Sequence, residues 1–158
     1  MVYSDETVAR LAEILTRKSE EYGHPIYLIS DEPYREIVYD GRETPFVAKA
    51  YPRTLVCYSY SKSLSLPGER IGYVLVPQVE EFGDPYAAVC GAGRVLGYVC
   101  APSLFQQVTS LCCDLTSDLA VYESKAKLLV PALREMGYHC VEPGGAFYLF
   151  PRSLEPDD

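Results

Sequence analysis

The apolar positions change their rhythm several times along this chain, and each change marks an element. Val8, Leu11 and Leu15 recur at helical spacing behind Ser4, a good N-cap, with Asp5 and Glu6 at the positive end of the helix dipole. Gly23 and Pro25 close that helix. Ile26-Tyr27-Leu28-Ile29 is then a short, nearly continuous apolar run, as expected of a strand covered on both faces in a parallel sheet. Leu55-Val56-Cys57-Tyr58 reads the same way, and Ile71 to Val76 is a third strand stopped by Pro77.

Farther on the pattern turns helical. Pro85–Tyr98 forms one predicted helix, and Pro102–Met136 forms a long one with Pro102 at its start and Gly137 at its end. Tyr138–Val141 and Ala146–Phe150 are predicted strands joined through Glu142-Pro143-Gly144-Gly145. This order predicts part of an α/β domain followed by the start of a smaller α+β domain. The expected division is 1–105 and 106–158, the second part holding most of the long helix.

Composition narrows the partners. The 158 residues carry 14 Lys+Arg against 22 Asp+Glu, a formal charge of −8. Such a balance argues against nucleic acid and anionic membranes as partners. The longest uncharged stretch, Val95 to Cys113, includes Pro102, Gln106 and Gln107, so it is expected to be buried rather than membrane-spanning. The six cysteines lack a C-x-x-C pair, and His24 and His139 are far apart, so metal-ligand spacing is absent. With no export signal at the start, the cysteines are expected to be reduced core residues of a cytoplasmic protein.

Two segments hold candidate chemistry. In Ile29-Ser30-Asp31-Glu32-Pro33-Tyr34, an acid and a phenol lie three residues apart just past a strand, where open α/β sheets collect ligands. A capped, packed turn would look alike. In Ser59-Tyr60-Ser61-Lys62-Ser63-Leu64-Ser65-Leu66-Pro67-Gly68-Glu69-Arg70-Ile71-Gly72, a lysine lies between apolar strands, among hydroxyls, with an arginine eight residues on. Such a lysine is a candidate for a desolvated amine able to form a Schiff base, and Arg70 with Ser59 for holding a phosphate.

The second segment resembles the lysine-attachment signature of class I/II aminotransferases, the fold type I pyridoxal-phosphate enzymes. The match takes in Ser59, Ser61, Lys62, Ser65, Leu66, Gly68, Arg70, Ile71 and Gly72. Asp31-x-x-Tyr34 resembles the family's cofactor-ring site, and Val2-Tyr3-Ser4 the residues after its Asn-Pro-x-x-Pro-Thr-Gly turn. The resemblance implies an α/β fold, the central part of the large domain with a mostly parallel sheet and flanking helices, then the start of the small domain. It implies pyridoxal 5'-phosphate as cofactor, an amino acid and a 2-oxo acid as substrates, and a homodimer or higher oligomer. Lys62 would be the Schiff-base lysine and proton carrier, Asp31 the partner of the pyridine nitrogen and Tyr34 a donor to the ring oxygen. Arg70 and Ser59 would bind the phosphate, and Ser61 would be structural.

The family's phosphate-cradling helix start, ring-stacking aromatic, ring-oxygen asparagine and substrate-carboxylate arginine have no counterpart here. The chain is therefore expected to be an internal piece of about 40% of a usual family chain, inactive alone. A β-eliminating carbon–sulfur lyase of the same fold would carry the same Lys62 and Asp31, and an inactive fragment or assembly module could retain both. The remaining candidates read as structural: His24 in a loop, His139 in a short strand, Cys112-Cys113 in helix packing, and Gly91-Ala92-Gly93-Arg94 inside a helix.

Overall fold

The computed structural model describes residues 2–78 and 84–155. Helix α1 (Asp5–Tyr22) is capped by Ser4, whose side chain accepts from the Thr7 N–H, and ends at Gly23 in the left-handed conformation. Val8 and Ala12 are its buried stripe. Strand β1 (Leu28–Asp31) follows, then a polar turn, the short helix α2 (Val47–Ala50) and strand β2 (Thr54–Ser59). The one-turn helix α3 (Tyr60–Ser63) interrupts the path to strand β3 (Gly72–Leu75). Helices α4 (Pro85–Val95), α5 (Ser103–Cys112) and α6 (Leu119–Glu135) complete the elements.

The sheet order is β1-β2-β3. β1 runs parallel to β2, with Asp31 opposite Cys57. β3 runs antiparallel to β2, with Ser59 opposite Gly72, so the sheet is mixed. No long crossover helix separates β2 from β3; the chain makes one helical turn and doubles back, with Tyr60 N–H donating to Ile71 O at 3.1 Å. A Cβ at Gly72 would lie 2.3 Å from the Tyr58 carbonyl oxygen. Gly72→Ala should therefore lower stability by about 2 kcal/mol through forced separation of β2 and β3. A urea midpoint equal to wild type would show that the strands part without cost.

Three expectations change. The predicted helix Pro102–Met136 is two helices. Asp118 caps α6 by accepting from Ala120 N–H, and Ser117 turns its hydrogen bonds toward α3 instead of continuing α5. Secondly, the predicted strands Tyr138–Val141 and Ala146–Phe150 do not pair as a hairpin. Their polar backbone groups go elsewhere: Tyr39 N–H to Gly144 O, Ala146 N–H to Ile37 O, and Arg134 Nε and Nη2 to Cys140 O. An isolated antiparallel bridge, Val38 to Gly145, is what remains of strand character at that turn.

Thirdly, the apolar surface is less covered than the sequence suggests. Ile37, Tyr51, Val56, Ile71 and Val130 are buried, but Ile29 is 68% exposed and every β3 residue is exposed. The uncharged stretch expected to be buried leaves Val95, Leu96, Tyr98, Val99 and Leu111 exposed. Among the described residues, no segment packs over them. The cysteines follow suit: Cys140 is buried, Cys57 and Cys112 are half-buried, and Cys90, Cys100 and Cys113 are exposed. All six are free thiols. Thiol titration without reductant should count three fast sites in the native chain and six after denaturation; four or fewer would mean that disulfides form.

Candidate active site

Two strand ends build the site. β1 and β2 are parallel neighbours, so their carboxyl ends lie at one edge of the sheet. Asp31 ends β1, exposed at that edge. Glu32 N–H still donates to Cys57 O at 2.8 Å, carrying the strand pairing one step past Asp31. Glu32 itself is buried, accepting from Ser30 Oγ and Arg35 Nη1, both at 2.8 Å. Arg35 also donates to the Thr44 and Pro45 carbonyls. This network fixes the turn that carries Tyr34, and its Thr44 and Pro45 partners, about ten residues on, went unread in the sequence.

On the neighbouring strand, Ser59 ends β2 and caps α3. Its hydroxyl accepts from Ser61 N–H at 3.2 Å and donates to Ser61 Oγ at 2.7 Å. Ser61 thus serves the local structure. Lys62, one turn later, is half-buried. Its Nζ lies 5.9 Å from the centroid of the Tyr34 ring and 5.5 Å from that of Phe147, within cation–π range of both. Ser117, from the break between α5 and α6, holds α3 from behind. Its N–H donates to Ser63 O at 2.6 Å, and its hydroxyl lies 2.7 Å from Lys62 O and 2.9 Å from Ser63 O, one proton serving both. The run Asp114-Leu115-Thr116-Ser117-Asp118 was the available signal for that break.

Arg70 reaches the base of the same loop through the Ser59–Gly72 pairing. It is exposed, with Nη1 donating to Pro67 O at 3.0 Å, and its backbone is left-handed at φ 53°. Ser65 in the same loop has φ 55°. Such conformations cost a non-glycine residue roughly 1 kcal/mol, and they tend to gather at ligand sites.

The segment after α6 completes the cluster. Phe147 stands edge-on to Tyr34 and stacks on Tyr122, and Tyr148 brings its hydroxyl within 2.6 Å of the Tyr34 hydroxyl. Desolvation, then the hydrogen bond to Tyr148 and the nearby Tyr148 and Asp31 charges, push the Tyr34 phenol up to about 12. A cavity of about 250 Å³ opens here, lined by Ser30, Asp31, Tyr34 and Tyr148 among others. Lys62 approaches from the rings of Tyr34 and Phe147 and is not a wall of that cavity. The structure thus gathers Asp31, Tyr34 and Lys62 at one sheet edge, with Ser59 and Arg70 at the root of the Lys62 loop.

The sequence pattern described as aminotransferase class I and II matches residues 2–155. The chain belongs to that family. The crystal structure of an aminotransferase from Eubacterium rectale is similar over 99% of this chain and 40% of that one, at 60% identity and a TM-score of 0.95. The aspartate aminotransferase of Thermotoga maritima is similar over 98% of this chain and 39% of its own, at 25% identity and a TM-score of 0.73. Among curated relatives, an aspartate aminotransferase of Pyrococcus horikoshii is 30% identical over 146 residues, which is 89% of this chain and 36% of the relative. This class I and II aminotransferase chain therefore spans under two fifths of the length of that relative. Among the described residues, no helix is long and apolar enough to cross a membrane, and no group of His, Cys, Asp and Glu could hold a metal ion.

Proposed function

We propose that this chain forms part of the core of a pyridoxal-phosphate-dependent aminotransferase, moving an amino group between an amino acid and a 2-oxo acid. The observation that carries the reading is the meeting of Lys62 with Tyr34, the residue three beyond Asp31, at the ends of two adjacent parallel strands. The donor set suits a pyridine ring bearing an oxygen, an aldehyde and a phosphate. It offers one primary amine, one carboxylate and one phenol together, with a hydroxyl and a guanidinium on the adjoining loop.

Pyridoxal phosphate, when bound, supplies a ring that takes up the electron pair left as a proton departs the substrate carbon. Lys62 would hold the cofactor covalently and, once released by substrate, carry that proton. Asp31 would hold the positive ring nitrogen, and Tyr34 would donate to the ring oxygen. Arg70 and Ser59 would take the phosphate. The residues 1–105 would belong to the cofactor-binding domain and 106–158 to the passage into the smaller one.

The working protein is a homodimer or higher oligomer in the cytoplasm. In support of assembly, the chain exposes 11419 Å², whereas a compact monomer of its mass exposes roughly 7,900 Å². Large apolar side chains such as Val95, Val99, Leu111 and Phe150 are among the exposed residues, and exposed apolar side chains of this kind favour association.

The test is borohydride reduction of the protein loaded with pyridoxal phosphate, followed by peptide mass mapping. A pyridoxyl adduct on Lys62 is expected. An adduct on Lys49 or another lysine, with Lys62 unmodified, would refute the assignment. Keto-acid-dependent amino transfer, rather than release of pyruvate and ammonia, separates this reading from a lyase.

A further inference from the structure

Tyr148 is 62% exposed, so burial alone does not explain a tyrosine there. Its ring stands at 78° to Tyr34, with centroids 5.5 Å apart, and the two hydroxyls are 2.6 Å apart. The segment that carries it is registered on the turn that carries Tyr34. Ala146 N–H donates to Ile37 O at 2.7 Å, Tyr39 N–H donates to Gly144 O at 3.0 Å, and the Tyr39 hydroxyl donates to Ala146 O. Ala146 pays for this register with a left-handed backbone, φ 57°, immediately before Phe147 and Tyr148. A strained backbone and three hydrogen bonds thus deliver one phenol onto another across 114 residues of sequence.

A phenol has one proton to donate. If Tyr34 gives it to Tyr148, nothing remains for an acceptor in the site. If Tyr148 donates, Tyr34 keeps its proton for that acceptor and its own oxygen is satisfied. We propose that Tyr148 is a positioning residue for Tyr34: it takes the Tyr34 proton while no acceptor is in reach, and donates to Tyr34 when an anionic ring oxygen arrives. This rests on the reading that a cofactor ring oxygen sits at Tyr34. Two hydroxyls in series strengthen each other's hydrogen bonds, so an oxyanion at the end of the chain is held more firmly than by Tyr34 alone.

The other groups facing Tyr34 are the Asp31 carboxylate from the end of β1, the Lys62 ammonium from α3 and the apolar edge of Phe147. The Asp31 charge disfavours the Tyr34 phenolate, so the experiment varies Tyr148 while leaving Asp31 in place.

A difluorotyrosine placed at position 34 of the full chain brings the phenol into a range where the protein stays folded, and fluorine NMR reads its ionisation. Without cofactor, Tyr148 donates to the ionised phenol at position 34, so removing that donor in Tyr148→Phe should raise the midpoint by about one unit, a tenfold change in proton affinity and the scale of one charge-assisted hydrogen bond. Phe147→Leu, which removes an edge contact and no hydrogen bond, should leave the midpoint near wild type. An unchanged midpoint in Tyr148→Phe, or an equal shift in Phe147→Leu, overturns the pair. With pyridoxal phosphate bound, the absorbance of the cofactor should titrate at a different pH in Tyr148→Phe than in wild type; identical titrations overturn the reversal. The cofactor-free arm does not depend on Lys62, so failure of the borohydride test and failure of this inference are read separately.

Discussion

Lys62→Ala is expected to abolish covalent capture of pyridoxal phosphate and to slow amino transfer on the order of 10³-fold or more in the working protein. The loss is chemical rather than structural. Lys62 is half-buried, and its contacts with the Tyr34 and Phe147 rings at 5.9 and 5.5 Å are worth about 0.5–1 kcal/mol to the fold. Ser117 holds α3 through the backbone carbonyls of Lys62 and Ser63, which the substitution leaves in place. The thermal midpoint should therefore move by only a few degrees. Lys62→Arg retains the positive charge but is too basic to act as the amine, so it should be as inactive as alanine. A small primary amine added to the alanine variant should restore part of the rate. Wild-type turnover in Lys62→Ala, or an adduct still forming elsewhere, would remove Lys62 from the chemistry.

What the sequence disclosed about this site is what lies within a dozen residues of a strand end. An apolar run followed by Ser59-Tyr60-Ser61-Lys62 announces a strand that stops and a loop rich in hydroxyls, and Asp31 and Tyr34 repeat that placement one strand earlier. The parallel pairing of β1 and β2 then brings the two loops to one edge without further information. Phe147, Tyr148 and Ser117 act on the same loops from 55 to 114 residues away, and nothing local distinguishes them from packing residues. The split between α5 and α6 was locally signalled by Asp118, but the apolar periodicity on either side hid it. The failed hairpin is of another kind. Tyr138–Val141 and Ala146–Phe150 have strand composition, yet their neighbourhood satisfies the turn at Gly144–Ala146 by bonding it to Ile37 and Tyr39 instead. Tertiary partners decided that segment over its own pattern.

The exposed apolar surface has the same origin. Ile29 belongs to a continuous apolar run that suits a strand covered on both faces, yet β1 reads half-buried, exposed, half-buried, exposed, so the described residues cover one face only. Burial patterns in a sequence report the surface of the assembled protein, whereas the exposed surface here is that of one chain spanning about two fifths of its relatives' length.

Asp31→Asn should leave Lys62 able to capture pyridoxal phosphate while slowing proton removal from the substrate by about 10²- to 10³-fold, the scale of deleting one preorganised electrostatic group. The two effects should separate because Asp31 would serve the ring nitrogen and Lys62 the aldehyde carbon. Asp31 is at the carboxyl end of β1 and Lys62 is on the loop after β2, so the amide substitution does not disturb the amine. A carboxylate stabilises a positive ring nitrogen; an amide of the same shape carries no charge and can present its N–H₂ to a neutral nitrogen instead. The strand end should survive, since the carboxylate is exposed and the pairing past it runs through the Glu32 backbone. Stopped-flow half-reactions give the rate, and borohydride trapping at Lys62 shows that capture persists. If the half-reaction runs at the wild-type rate in Asp31→Asn, Asp31 merely ends a strand; if capture is lost together with the rate, its role is to build the pocket rather than to hold charge.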